Sequence, residues 1–389
     1  MQKLSIAMLI SIALSAPWGG RASGETFSCD EAGITAAVGA AETGDAGPHS
    51  LDCAPGEIIT TTAGWTISSD LVLDGAGATI ECDAVSSGSC LQFRGNPLTT
   101  CSKRDERRRL CVALFEPIFA ELRNMTIVGR GVEVAFAADL VLDHIVVTGV
   151  NFWYAIRVSG RFGDSASTLR LRDSIVTGNN VGWNEGNIVV GSGGHATIVG
   201  SSIVSNVGIG LSARRFLGLG TTVELINSTI SGNQSAAQII NGGDLSIANS
   251  TISADGGYAY TNWVIIRSLP AEPPTFISGA GNAIIMNSII EGSCDAEGFF
   301  HYEFPPDTDL EVIELPGTII SGGGNVEVSG NSCFLTDATD ATDQVEVSAA
   351  ELNLGPLADN GGPTPTHALL PGSLAIDAIP PRPLHRRLR

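Results

Sequence analysis

The chain has 389 residues, 47 of them glycine; only 16% are charged, and the formal net charge is −20. That length suits one elongated domain with a large aliphatic interior. Such acidity argues against nucleic acid and anionic lipid surfaces, leaving neutral sugars, cations or basic partners.

Residues 1–22 read as a secretory signal peptide: Lys3, an apolar core from Leu4 to Ala16, then small Gly20 and Ala22. The apolar run is too short to span a membrane, and no later run qualifies, so no transmembrane span is expected. Cleavage removes Lys3 and Arg21 and no acid, taking the formal charge from −20 to about −22. A secreted or cell-envelope location follows. Residues 23–66 are expected to form an N-terminal cap. Ser28 and Glu31 have capping-box spacing, and the apolar period through residue 41 suits one short amphipathic helix. That helix would cover the exposed edges of a first turn of coil.

From residue 67 to 378 the sequence predicts an all-β fold, a right-handed parallel β-helix with three short strands per turn. The signal is a seam repeated seven times, at Asn124, Asp143, Asp173, Ser201, Asn227, Asn249 and Asn287. Each is followed by one or two residues and then a β-branched apolar pair. The spacings are 19, 30, 28, 26, 22 and 38 residues, a variable repeat with a fixed junction. An alternating strand precedes each copy, as at Leu169–Arg172, with a second short strand upstream, as at Ala155–Val158. Repeats of this size cannot bury a core alone, but stacked repeats can. Asn, Asp and Ser suit a sharp turn because they tolerate left-handed backbone, and stacked amides can bond the copies above and below. The sequons at Asn124, Asn227, Asn233 and Asn249 are assigned to these turns rather than to glycosylation.

Eight cysteines in an exported chain fit disulfides. Chain order suggests Cys29–Cys53, Cys82–Cys90, Cys101–Cys111 and Cys294–Cys333, among about 105 connectivities. These would staple irregular excursions at 82–111 and 294–333. Within the first, Lys103, Arg104, Arg107, Arg108 and Arg109 read as a solvated basic face. No Cys-x-x-Cys with paired histidines occurs, so neither a metal site nor a cofactor is expected. Residues 379–389 are Pro- and Arg-rich and read as a disordered basic tail.

Chemistry on such a coil would come from outward side chains on neighbouring turns. A lyase needs a cation or Arg beside a base, and a hydrolase two carboxylates about 5–9.5 Å apart. Arg157, Glu185 and His195 are the catalytic candidates; Asp143, His144, Arg170, Arg172, Asp173 and Glu224 also face outward. Seam position or plain strand alternation accounts for most of these. The aromatics give a better signal. Trp153 and Tyr154 (with Phe152), Trp183, and Tyr258, Tyr260 and Trp263 fall just before the equivalent strand of different turns. Phe299, Phe300 and Tyr302 follow in the later excursion. Their rings could stack on sugars, with Asn184, Glu185, Asn187 and Arg157 bonding hydroxyls. The same rings could instead wedge between loops at a corner of the coil.

Two stretches resemble known families. Thr66-Ile-Ser-Ser-Asp-Leu-Val-Leu-Asp-Gly75 resembles the first turn of the pectate-lyase-like β-helix superfamily. Leu354-Gly-Pro-Leu-Ala-Asp-Asn-Gly-Gly-Pro-Thr-Pro-Thr-His-Ala-Leu-Leu-Pro-Gly-Ser-Leu-Ala-Ile-Asp-Ala378 resembles the hallmark of choice-of-anchor Q domain proteins. That resemblance implies an exported β-helix at a bacterial surface and transfers no catalytic residues. After Ala378 the sequence departs from the family pattern and shows no sortase motif, hydrophobic tail or β-barrel. The resulting expectation is a monomeric secreted or surface β-helix binding a polysaccharide, cell-surface glycan or other partner without catalysis. The alternatives are a polysaccharide lyase or glycoside hydrolase, and a purely structural or adhesive protein.

Overall fold

A computed structural model describes residues 24–379 except 84–88, 104–108, 161–165, 183–184, 215–219, 236, 268–275, 278–280, 304–316, 329 and 336–341. Side chains at 98–103, 109–114, 255–256, 262–267, 276–277 and 296–303 also lie outside the description. The expected signal peptide and nearly all of the basic tail fall outside it too. Among the described residues no helix is long and apolar enough to cross a membrane.

The fold is an all-β parallel β-helix. Each coil lays one strand on each of three faces, and each strand pairs in parallel with its counterpart one coil on. The first face carries Ser167–Arg172, Gly194–Val199, Thr222–Ile226, Asp244–Ala248 and Asn282–Met286. The second carries Ile175–Thr177, Ser202–Val204 and Thr229–Ser231. The third carries Ser89–Arg94, Gly131–Ala135, Ile156–Ser159, Gly186–Val190, Ile209–Ala213 and Ala237–Asn241.

Strand alternation sends one residue in two to the lumen. On the first face Leu171, Ile198, Leu225, Ile247 and Ile285 stack in register; on the second, Val176, Ile203, Ile230, Ile252 and Ile290 do so. All of these are essentially inaccessible to solvent. Each buried aliphatic side chain contributes about 1.5–3 kcal/mol, which is why β-branched residues dominate the strands.

The seam between the first and second faces is a left-handed residue in every copy, though not always the expected one. Positive φ occurs at Asn124 (52°), His144 (54°), Asp173 (44°), Gly200 (60°), Asn227 (51°), Asn249 (51°) and Asn287 (49°). Thus His144 rather than Asp143, and Gly200 rather than Ser201, makes the turn. The stacking is also different. The residue after the turn forms a hydroxyl ladder: the Ser174 N–H donates to Ser201 Oγ (3.2 Å), Ser201 N–H to Ser228 Oγ (3.2 Å), and Ser228 N–H to Ser250 Oγ (3.1 Å). Ser250 continues to Ser288 and Ser288 to Asn325. Each hydroxyl also donates to the carbonyl two residues back. A hydroxyl is both donor and acceptor, so it serves both needs at once, as the Asn325 amide does on the last rung.

An asparagine ladder exists elsewhere, at the end of the second-face strands. Asn179 Nδ2 donates to Asn206 Oδ1 (3.0 Å), Asn206 Nδ2 to Asn233 Oδ1 (2.8 Å), and Asn233 Nδ2 to Gln238 Oε1 (2.7 Å). Asn233, 5% exposed, has its amide committed within this ladder, which removes that sequon as a glycan acceptor.

At the N-terminus the helix Glu31–Glu42 buries Ile34, Ala37, Val38 and Ala41 against the first coil. Its N-cap is Asp30, not Ser28. Asp30 Oδ1 accepts from Gly33 N–H and from Ser28 Oγ, both at 2.7 Å. These bonds hold the Asp30 carboxyl below its ordinary pKa, the serine hydroxyl contributing most. Position 33 must be glycine, because a Cβ there would lie 1.9 Å from Ser28 O. Parallel pairing starts before residue 67: Thr26–Ser28 pairs with His49–Asp52, and Ile58–Thr61 with the strand Leu71–Cys82.

The disulfides Cys29–Cys53, Cys82–Cys90 and Cys294–Cys333 are formed. Cys101 stands opposite Cys111 in an antiparallel ribbon, Asn96–Lys103 with Arg109–Glu116; their side chains lie outside the description. The first excursion is this ribbon, because Ser89–Arg94 inside the expected 82–111 loop is a regular third-face strand. Likewise Thr318–Ser321 and Val326–Val328, within 294–333, are coil strands.

The closing motif does not form a further coil. After the helix Ala349–Leu352, capped by Ser348 and Glu351, Leu354–Ala358 and Thr366–Leu369 make an antiparallel hairpin. The hairpin folds back along the outside of the second face. Ser202 Oγ donates to Pro365 O (2.6 Å), Thr364 Oγ1 to Gly200 O (3.0 Å), and His367 reaches Ser231 Oγ at 2.8 Å. At the last coil Val326, Val328, Val347 and Leu352 pack with Leu354 and Ala375. This strap explains why outward-facing Ser202, Val204 and Ser231 are buried. Truncation after Asn353 is expected to uncover that face. Amide hydrogen exchange at residues 202–204 and 229–231 should then speed up while the lumen-only coils near 140 keep their protection; unchanged exchange would remove the strap's structural role.

Candidate functional site

The aromatic run sits at the corner where the chain passes from the second face, ending at Thr148, to the third-face strand Ile156–Ser159. A shallow, open depression of about 300 Å³ lies there, lined by Asn151, Phe152, Trp153, Asn180, Val181 and Gly182. Two consecutive coils build it: residues 151–153 from one, 180–182 from the next. Trp153 is 61% exposed, the largest such value among the exposed large apolar side chains of the described residues. Its indole meets Phe152 edge-on, with centroids 6.2 Å apart.

Phe152 is fixed from below, where the Arg130 guanidinium lies 4.6 Å from its ring centroid. Tyr154 is held at both ends. Its hydroxyl hydrogen-bonds Ser89 Oγ (3.1 Å), and the Arg157 guanidinium stands 5.6 Å from its ring centroid. The corner therefore keeps Phe152 and Tyr154 as supports and presents Trp153 to solvent. An exposed indole costs hydration free energy unless something covers it.

The other expected ligand residues divide. Tyr258 is half-buried and packs on Ile209, Ala237 and Ile240. Tyr260 points into the lumen at 1% exposure; its hydroxyl accepts from Asn241 Nδ2 (3.1 Å), and burial pushes its phenol pKa up. Asn187 is fully buried and donates to Ile209 O (3.0 Å). Tyr260 stacks in register on the lumen residue Ile239 of the preceding coil, which turns it inward. Neither Tyr260 nor Asn187 can meet a ligand. Trp183 and Asn184 lie outside the described residues, as does the side chain of Trp263.

The catalytic candidates are not assembled. Arg157 is outward and exposed, in register between Glu133 and Val189. Glu185 pairs with Arg214 at 3.1 Å. His195 lies on the first face, its Nδ1 2.6 Å from Thr222 Oγ1. Among the described residues no hydrogen bond or ion pair joins any two of Arg157, Glu185 and His195. Of the other outward charges, Arg170 Nη1 contacts both oxygens of Asp139 (2.7 and 3.0 Å), and Glu224 accepts from Thr197 Oγ1 (3.4 Å). Such exposed pairs contribute at most about 1 kcal/mol. Sequence reading missed Asn151, Asn180 and Gly182 at the cleft, and Arg130 against Phe152. Their signal was available: Asn151 adjoins the aromatic run, and the other three occupy the coil corner one repeat before or after it.

No family model matches the chain, and no curated protein matches it. One solved structure aligns over 84% of this chain and 83% of its own, at 9% identity and a TM-score of 0.30. It is described as a mannuronic acid specific polysaccharide family 6 lyase enzyme from human gut microbiota. At that score the likeness carries no argument about chemistry. The parallel β-helix stands on the strand pairing itself.

Proposed function

We propose that this protein is an exported surface or secreted β-helix that binds glycan at the Trp153 corner without catalysing its breakdown. The observation that carries this reading is the solvent-facing Trp153 indole beside a polar-rimmed cleft, on an otherwise rigid scaffold. Rings of this kind stack on the apolar face of a sugar, while Asn151 and Asn180 on the rim offer both donors and acceptors for hydroxyls. Three disulfides and the signal-like first 22 residues support an oxidising, extracytoplasmic setting. The closing motif's resemblance to choice-of-anchor Q proteins supports a place at the cell surface. The dispersed positions of Arg157, Glu185 and His195 support binding over catalysis.

Affinity electrophoresis against a panel of plant and bacterial polysaccharides tests the reading. Retardation by at least one polymer is expected. Trp153→Ala should weaken it by roughly tenfold or more, since a stacked aromatic contact is worth about 0.5–1.5 kcal/mol beyond its buried area. Because Trp153 is mostly exposed, the melting temperature should not move. Absence of retention on every polymer would sink the proposal. Release of unsaturated or reducing ends during the assay would replace it with a lyase or hydrolase.

A further inference from the structure

A second constellation lies away from the aromatic corner, on the seam. Asp143 and His144 sit on one coil and Asp173 on the next. One ligand atom from each lies within 4.8 Å of the other two, and His144 Nδ1 is 2.8 Å from Asp143 Oδ1. We propose that Asp143, His144 and Asp173 bind a divalent first-row transition metal ion, zinc being the best chemical match, with a fourth position left to water.

Two carboxylates alone would be an acidic patch on an acidic protein. The imidazole changes the chemistry, because nitrogen ligands favour zinc, copper, nickel or iron over calcium and magnesium. Zinc takes nitrogen and oxygen donors at about 2.0–2.2 Å, so tetrahedral ligand atoms stand roughly 3.3 Å apart. Donors already within 4.8 Å reach that spacing by side-chain rotation, with no change in the coil.

The backbone does not require this set of residues. The left-handed turn that His144 and Asp173 make is made by asparagine at Asn124, Asn227, Asn249 and Asn287. In this pair of coils the neutral amide is replaced by ligating groups on consecutive steps. Strand pairing fixes their relative height, since Asp143 is in register with Arg172 and so Asp173 follows directly above. Asp173 is further held by Gly200 in the next coil, where a Cβ would fall 2.4 Å from Asp173 Oδ1. His144 is exposed, so its ring can turn and an ion can enter from solvent. The opposing charges are Arg172 and Arg123, in register with Asp143 from the next and the preceding coil; Arg172 is exposed and can extend away, and Arg123 is engaged by Glu121 at 2.8 Å.

Titration of the full secreted chain with ZnCl2 by isothermal calorimetry tests this. One zinc ion per chain is expected, not displaced by CaCl2. His144→Asn and Asp173→Asn install the residue that other seams carry, so both should fold, with circular dichroism and metal-free melting as for the parent. Each should weaken zinc binding beyond the roughly 10–100-fold that loss of a mere hydrogen-bonding neighbour costs. Zinc should raise the parent melting temperature and leave the variants unmoved. A visible Co2+ spectrum that survives His144→Asn, zinc binding equal in parent and variants, calcium competing on equal terms, or no binding at all would each overturn the proposal.

Discussion

Replacing Glu327 by alanine is expected to open the C-terminal coils while leaving the rest of the rod intact. Glu327 occupies a lumen position: it stacks in register on Ile290, in a column where the earlier coils place Val176, Ile203, Ile230 and Ile252. It is fully buried. One carboxyl oxygen, Oε1, accepts from Ser332 N–H (2.6 Å), Ser332 Oγ (2.9 Å) and Cys333 N–H (3.1 Å). The side chain thus pulls the 330–335 turn across the open end of the lumen, where Cys333 completes the bridge to Cys294.

Alanine removes the acceptor and strands three donors in an apolar end-space. A bond to a carboxyl group is worth about 1.5–3 kcal/mol, and a buried orphan donor costs a similar amount. A local loss of about 3 kcal/mol or more follows. Isoleucine would restore the aliphatic column yet leave the same donors unpaired, so it should not rescue. Glutamine keeps an acceptor and should cost less than either. Solenoid coils are stabilised chiefly by their neighbours, so the damage stays at the end. Hydrogen exchange at residues 326–335 should accelerate strongly while residues 140–176 remain protected. Parent-like protection in the alanine variant would refute the lumen-plug role.

Asn206→Asp is expected to be worse than Asn206→Ala, although it is nearly isosteric. Asn206 stands mid-ladder. Its Nδ2 donates to Val176 O (3.0 Å) and Asn233 Oδ1 (2.8 Å), while its Oδ1 accepts from Asn179 N–H (3.1 Å) and Asn179 Nδ2 (3.0 Å). At 1% exposure there is no water to substitute. Alanine leaves these partners unsatisfied, at a cost of about 2–4 kcal/mol. Aspartate turns an oxygen toward two existing acceptors and buries a charge, which costs several kcal/mol more. Both variants should lower the thermal midpoint, and the site lies in the middle of the rod, so unfolding should split the coil rather than fray an end. A melt in which aspartate is tolerated better than alanine would contradict the assigned amide orientation.

The coil was legible because its demands are local and periodic. Inward residues such as Leu171 and Ile203 must be apolar every second position, and a sharp turn needs a residue tolerant of positive φ. Both leave marks that repeat with each coil. The three described disulfides followed from chain order because Cys82 and Cys90 are close in sequence and the other two pairs join segments that the stacking brings close.

What escaped was decided by register. His144 and Gly200 hold the turns expected of Asp143 and Ser201, because a one-residue slip in the seam is invisible until the coils are stacked. The asparagine ladder sits at Asn179, Asn206 and Asn233 for the same reason. Tyr260 reads in sequence like Tyr258 and Trp153, yet its register on Ile239 places it in the lumen, so three similar aromatics have three different fates. The strap was unreadable as a strap: Pro365 and His367 meet Ser202 and Ser231 across more than a hundred residues, and no local pattern encodes a contact that distant. The amino-acid order alone determined that this chain winds into an aliphatic-cored coil, since alternation and turn chemistry act between near neighbours. Which polar groups meet at a corner, a seam or an end was decided only by the stacking of coils, because those contacts join residues that are adjacent in height and remote in sequence.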